Sequence, residues 1–143
     1  MEVKHILREK GREIVAINAD ATLLEAARLL ARKRIGAVIV HGDDRGLAGI
    51  LSERDLVRAV SEESVTALAR PVSAYMTRTV MTCSEADSIE DLMELMTRHR
   101  FRHVPVMEEE QLVGIISIGD VVKTRIEETV REAASLRDYI AAG

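Results

Sequence analysis

Laid over itself with a shift of 66 positions, the sequence matches without a gap between residues 14–40 and residues 80–106. Leu29 falls on Leu95, Arg32 on Arg98, Arg34 on Arg100, Val38 on Val104 and Val40 on Val106. Downstream the shift becomes 65, which sets Leu47, Gly49, Ile50, Ser52, Asp55 and Val57 on Leu112, Gly114, Ile115, Ser117, Asp120 and Val122. The one deletion lies between His41 and Gly46, a Gly/Asp-rich stretch that reads as a hairpin loop, where a change of length costs little. An internal duplication constrains the fold more than any propensity does. Two copies are too few for a solenoid, so the units are expected to pair about a pseudo-twofold axis and share one core.

Each unit reads strand, helix, strand, strand, helix. Residues 14–17 form a short apolar strand, and Thr22 is placed to cap a helix from Leu23 to about Arg32, with Leu23, Ala26, Ala27 and Leu30 as its apolar face. Residues 37–40 and 47–51 are near-continuous apolar runs, as in strands covered on both faces. A second helix starts at Ser52. The second unit repeats the order with strands at 80–83, 104–107 and 112–116 and helices from Ser88 and Ser117. The fold class is therefore α/β (α+β), two β-α-β-β-α units plus a long C-terminal helix. The expected divisions are an N-terminal segment at 1–13, repeats at 14–60 and 80–125, a linker at 61–79 with a helical turn near Val72, and a helical extension at 126–143. In the last helix Val122, Ile126, Val130, Ala133, Leu136 and Ile140 recur at steps of three and four, a stripe that outlasts the repeat.

Composition removes several functional classes. With 20 basic and 24 acidic residues the chain has no surplus charge for gripping a nucleic-acid backbone, and 2% aromatics with no Trp leave few stacking platforms. No apolar run approaches the ~20 residues of a membrane span. Cys83 is the only cysteine, which excludes an internal disulfide and a cysteine-rich zinc site and fits a cytoplasmic setting.

The chemistry-bearing pattern is Gly49-Ile50-Leu51-Ser52-Glu53-Arg54-Asp55, echoed by Gly114-Ile115-Ile116-Ser117-Ile118-Gly119-Asp120. Ser-x-x-Asp at a strand-to-helix junction reads first as a helix cap, the hydroxyl accepting from a backbone N–H and the carboxylate answering the dipole. The same geometry suits a ligand: helix-start N–H groups attract phosphate, and a neighbouring carboxylate can chelate a sugar diol. Both copies keep the glycine three residues before the serine, which capping alone does not require.

Paired in this way, with Arg34-Ile35-Gly36-Ala37-Val38-Ile39-Val40 and Arg100-Phe101-Arg102-His103-Val104-Pro105-Val106 each preceding a Gly-x-x-Ser-x-x-Asp, the units resemble tandem cystathionine-beta-synthase (CBS) domains over about residues 14 to 125. The chain is similar to small stand-alone bacterial CBS-pair proteins. The resemblance implies a regulatory sensor of adenosyl ligands (AMP, ADP, ATP, NAD(H) or S-adenosylmethionine) bound in clefts between the repeats, with no cofactor required and no catalysis. It implies ribose contacts from Asp55 and Asp120, with Ser52 and Ser117 beside ribose and phosphate. It implies a base wall of Ala16, Ile17, Ala37 and Val38 for Asp120, and of Thr82, Cys83, Arg102 and His103 for Asp55. The Asp120 cleft is then the better site for bare adenosine, and the other prefers more phosphate. Members of the family commonly form a flat dimeric disc, so the apolar stripe of the last helix points to a homodimer.

Competing readings stand beside these. Arg54, Arg102 and His103 read equally as phosphate donors or as a solvated basic edge paired with Glu108, Glu109 and Glu110. His99 and His103 are four apart, but a helix should end between them and no third metal ligand is evident. Cys83 reads as a small core residue, and Met76, Met81, Met93, Met96 and Met107 as core fillers. The alternative for the whole chain is a ligand-free dimerisation scaffold that docks an unknown regulated protein. Nothing in the sequence assembles a nucleophile, a base and an orienting group.

Overall fold

The structure, a computed structural model, describes residues 1–44 and 46–143; position 45, within the expected hairpin loop, lies outside the described residues. The chain folds as two compact units. One comprises Glu13–Met81 with Glu110–Leu112, the other Met1–Arg12 with Thr82–Glu109 and Val113–Gly143. The segment preceding the first repeat thus packs with the second, and the 61–79 segment packs with the first. Buried side chains form two clusters, one in each unit. The single shared core suggested by the duplication is replaced by two.

In the first-repeat unit, β1 (Ala16–Asn18), α2 (Leu23–Lys33), β2 (Ala37–His41), β3 (Leu47–Ser52) and α3 (Glu53–Glu63) follow in order. The sheet runs β1-β2-β3, with β1 parallel to β2 and β3 antiparallel to it. Registers are Ala16↔Ile39 and Ile39↔Ile50, with an irregularity between Val40 and His41. Thr22 caps α2, its hydroxyl accepting from Glu25 N while the Glu25 carboxylate accepts from Thr22 N at 2.9 Å. The helix ends at Arg34 in the left-handed conformation, φ 55°. Leu23, Ala26 and Leu30 are buried against Val38, Val40 and Leu51. β2 is covered on both faces as expected, whereas β3 alternates, since its burial follows the pleat. Short 3-10 turns at Ser64–Ala69 and Val72–Ala74 complete the unit.

The second-repeat unit begins with α1 (Val3–Lys10), whose Val3, Ile6 and Leu7 are buried. It continues with α4 (Ile89–His99), β4 (His103–Glu108), β5 (Gln111–Ser117) and α5 (Ile118–Ala142). Ser88 caps α4, and Arg100 closes it at φ 57°, repeating Arg34. The strand expected at 80–83 does not form. Only Cys83 bridges Val106 in parallel, with Cys83 N donating to Pro105 O and Met107 N to Cys83 O. The reason lies in the next residues: Ser84 N turns back onto Asp87 Oδ2 at 2.8 Å, and Glu85 N bonds the Glu108 carboxylate, which diverts the backbone from a ladder. Met81, expected in the core, is exposed, whereas Met76 and Met96 are buried. The expected extension at 126–143 is continuous with the helix that starts at Ile118, and Val122, Ile126, Val130, Leu136 and Ile140 are 45–68% exposed along it.

Candidate functional site

Each Ser-x-x-Asp sits where an apolar strand turns into a helix. Ser52 is extended at φ −108°, ψ 165°, and Ser117 at φ −98°, ψ 162°, so both strands run directly into a helical first turn. Both pairs form reciprocal capping boxes. Asp55 Oδ2 accepts from Ser52 N at 2.9 Å and Ser52 Oγ at 3.1 Å, while Asp55 N donates to Ser52 Oγ at 3.3 Å. In the second unit the corresponding distances are 2.9, 2.9 and 3.2 Å. A matching backbone bond ties each helix start to the chain before the central strand: Glu53 N donates to Gly36 O at 2.9 Å, and Ile118 N to Arg102 O at 2.8 Å.

The repeated glycine has a packing cause. A Cβ on Gly49 would lie 2.6 Å from Thr77 O, and one on Gly114 would lie 2.6 Å from Leu7 Cδ2. Thr77 N and Ile50 O, and Ile50 N and Thr77 O, are bonded at 2.9 and 3.0 Å, so a side chain at Gly49 would break a backbone pairing. A glycine therefore recurs because a neighbouring segment lies flat on the strand in each unit.

The two carboxylates differ in what holds their outer face. Asp55 is buried, and its Oδ1 accepts from the Arg58 guanidinium at 2.6 Å, one turn along its own helix. At Asp120 the third partner comes from α1, where Lys10 Nζ donates to Oδ2 at 2.7 Å and to Ile115 O at 2.9 Å. Oδ2 of Asp120 thus collects three donors, and its Oδ1 makes no hydrogen bond among the described residues. Burial pushes the Asp120 carboxyl up. The hydrogen bonds from Lys10 and Ser117 and the Lys10 charge outweigh it and hold the group below the usual carboxylate range.

The remaining sequence-derived candidates divide between the units. Ala16, Ile17, Ala37, Val38 and Arg54 belong to the unit of Asp55, and Thr82, Cys83, Arg102 and His103 to that of Asp120. Val38 and Cys83 are committed to their own cores, so only their backbone is available to a ligand. Burial, with the charges of Asp87 and Glu108, pushes the Cys83 thiol up to about 12. Arg54 lies in the exposed first turn of α3, Arg102 is exposed and His103 opens β4. His99 ends α4 and stacks on Phe101 with centroids 5.8 Å apart. No group of three or more metal-ligating side chains is placed to hold an ion among the described residues. A groove of about 800 Å³ runs along α1, α4 and α5, but Ser52, Asp55, Ser117 and Asp120 do not line it, and Arg125 there is paired with Glu90 and Glu128. Lys10 escaped the sequence reading because its partner is 110 positions away; only the repeated glycine hinted that a segment must lie on this strand.

A duplicated helix-strand-strand-helix unit with a Ser–Asp box in each copy, preceded by a strand in the first copy and by the single Cys83 bridge in the second, is the CBS architecture. The CBS-domain family profile matches residues 3–62 and 72–127, and the chain belongs to that family, with two copies of the domain. A crystal structure of a CBS-domain-containing protein from Agrobacterium tumefaciens superposes with a TM-score of 0.85 at 48% identity, covering 87% of this chain and 92% of that one. A CBS-domain protein of Pyrobaculum aerophilum, solved in complex with AMP, is 30% identical with a TM-score of 0.75 over 84% of this chain and 89% of its own. A mitochondrial CBS-domain-containing protein of Arabidopsis thaliana is 29% identical across 99% of this chain and 72% of its own length. No helix among the described residues is long and apolar enough to cross a membrane.

Proposed function

We propose that the protein is a regulatory module that binds an adenine nucleotide of the AMP, ATP or NAD(H) type at its Ser–Asp boxes, without turning it over, in the cytoplasm and as a homodimer. The observation that carries this reading is the state of Asp120. Its carboxylate is oriented by Ser117 and Lys10 through one oxygen while the other makes no hydrogen bond among the described residues, as suits an acceptor for ribose hydroxyls. The AMP complex of the similar Pyrobaculum protein supports the ligand class. The Asp55 box takes ligands richer in phosphate, with Arg54 in its first helical turn as a donor. The apolar stripe of α5 is the dimer face.

A second reading, a ligand-free scaffold for a regulated partner, draws on the reciprocal capping bonds by which Ser52–Asp55 and Ser117–Asp120 serve their own helices. A thermal-shift screen separates the two. AMP, ATP or NAD(H) should raise the melting temperature by mass action, by RT ln(1 + [L]/Kd) in free energy, and chromatography after overnight incubation should return the nucleotide intact. No shift with any of them favours the scaffold, and consumed nucleotide requires an enzyme.

A further inference from the structure

The contact between α1 and Asp120 gives the second-repeat box something that its copy lacks. Leu7, 1% exposed, lies under the missing Cβ of Gly114 and fixes the last turn of α1 on β5. One turn on, Lys10 reaches Ile115 O, next to that glycine, and Asp120 Oδ2. An ammonium group has three N–H donors. Two are used in these bonds and the side chain remains 31% exposed, which leaves a third N–H for a ligand at the carboxylate whose Oδ1 makes no hydrogen bond among the described residues.

We propose that Lys10 is a ligand-binding residue that completes a diol clamp with Asp120, donating to a ribose hydroxyl oxygen while Asp120 Oδ1 accepts from the hydroxyl hydrogens. The proposal rests on the reading of Asp120 as a ribose site and adds to it the requirement for an intact vicinal diol. A hydroxyl is donor and acceptor at once. A carboxylate alone satisfies only its hydrogen, whereas an ammonium–carboxylate pair satisfies both halves. The pair is also close to neutral, so an uncharged diol meets it with less desolvation than it would a lone half-buried anion. At Asp55 the arrangement is opposite: Arg58 sits on Oδ1 itself, the oxygen that a diol would use, and its side chain is 58% exposed. The geometry therefore assigns the stricter ribose requirement to the Asp120 box.

The test is calorimetric titration of the full chain with AMP, 2′-deoxy-AMP and 3′-deoxy-AMP, in wild type, Lys10→Met and Lys10→Arg. Wild type should favour AMP over either deoxy analogue by about tenfold or more, the effect of losing one charge-assisted bond. Lys10→Met should weaken AMP by a similar factor and bring the AMP-to-deoxy ratio close to one, and Lys10→Arg should largely restore both. Should Lys10→Met fail to fold, Lys10→Gln supplies the uncharged variant, and the ratio in wild type still reports on the clamp. Unchanged AMP affinity and ratio in the uncharged variant would overturn the proposal and leave Lys10 as a strut for α1. Tighter AMP binding would overturn it too, by showing that the ion pair blocks the site. Failure of wild type to bind AMP at all removes the ribose reading itself, an outcome distinct from either.

Discussion

Gly114 and Leu7 are in contact so close that a methyl group on the glycine would stand 2.6 Å from the leucine Cδ2, and Gly49 stands in the same relation to the Thr77 carbonyl. The two clashes have different remedies. A leucine methyl can rotate away, but the Thr77 carbonyl is fixed by its paired bond with Ile50. Gly49→Ala should therefore cost about 2–3 kcal/mol, and Gly114→Ala about 1 kcal/mol. Urea midpoints of the two variants check the order; equal losses would show that β5 and α1 are as rigidly paired as β3 and Thr77.

The ion pair of Lys10 and Asp120 makes a prediction in pH. Because the carboxyl is held below its ordinary value of 3.8 in the folded protein, its contribution to stability is present above that pH and is lost as pH falls through the lowered folded-state value. Lys10→Met should be less stable than wild type by about 1 kcal/mol near neutrality. The difference should vanish once pH is low enough to protonate Asp120. Chemical denaturation between pH 2 and about 7 measures it, and a difference that persists at the acid end would place the loss in apolar packing instead.

Cys83 behaves in the opposite direction. Its thiol is pushed up to about 12, so the folded state keeps the proton that an unfolded chain releases above about 9. The stability that this confers is complete below the unfolded value and is lost as pH rises toward 12. Native protein at pH 8 should react with a thiol reagent only at its opening rate, and unfolded protein at once. Prompt labelling of the native chain would contradict the burial of this side chain.

Much of the local structure was legible because it depends on near neighbours. Thr22, Ser52, Ser88 and Ser117 all cap the helices expected of them, with the partner three residues on. What failed depends on distant chain. The missing strand at 80–83 is decided by the Ser84–Asp87 turn and by Glu108 competing for Glu85 N. The packing of α1 with the second repeat is likewise long-range, and an alignment of the repeats cannot reveal it. At the site, the recurring motif glycines, which capping did not explain, leave room for Leu7 and Thr77, whereas Lys10, invisible in the motif, stands on the carboxylate.

The stripe on α5 carries the assembly prediction. Val122, Ile126, Val130, Leu136 and Ile140 lie exposed on one long helix, and burying each such side chain contributes on the order of 1.5–3 kcal/mol. Light scattering at micromolar concentration should report a mass near twice the 15.9 kDa of the chain. The double substitution Ile126→Glu with Val130→Glu should return it to a monomer with its fold intact. A wild-type particle of 15.9 kDa would sink the dimer.

The most direct test of the account is calorimetric titration of AMP into wild type, Asp120→Ala and Asp55→Ala. Among the described residues Asp120 has an oxygen without a hydrogen bond and Asp55 does not. Asp120→Ala should thus weaken AMP by about tenfold or more, at about 1.5–3 kcal/mol for each charged hydrogen bond lost. Asp55→Ala should leave AMP within about twofold and act mainly on ATP or a dinucleotide. Saturable AMP binding that falls with Asp120 and not with Asp55 is the predicted result; no binding by wild type, or equal losses from both substitutions, would contradict it.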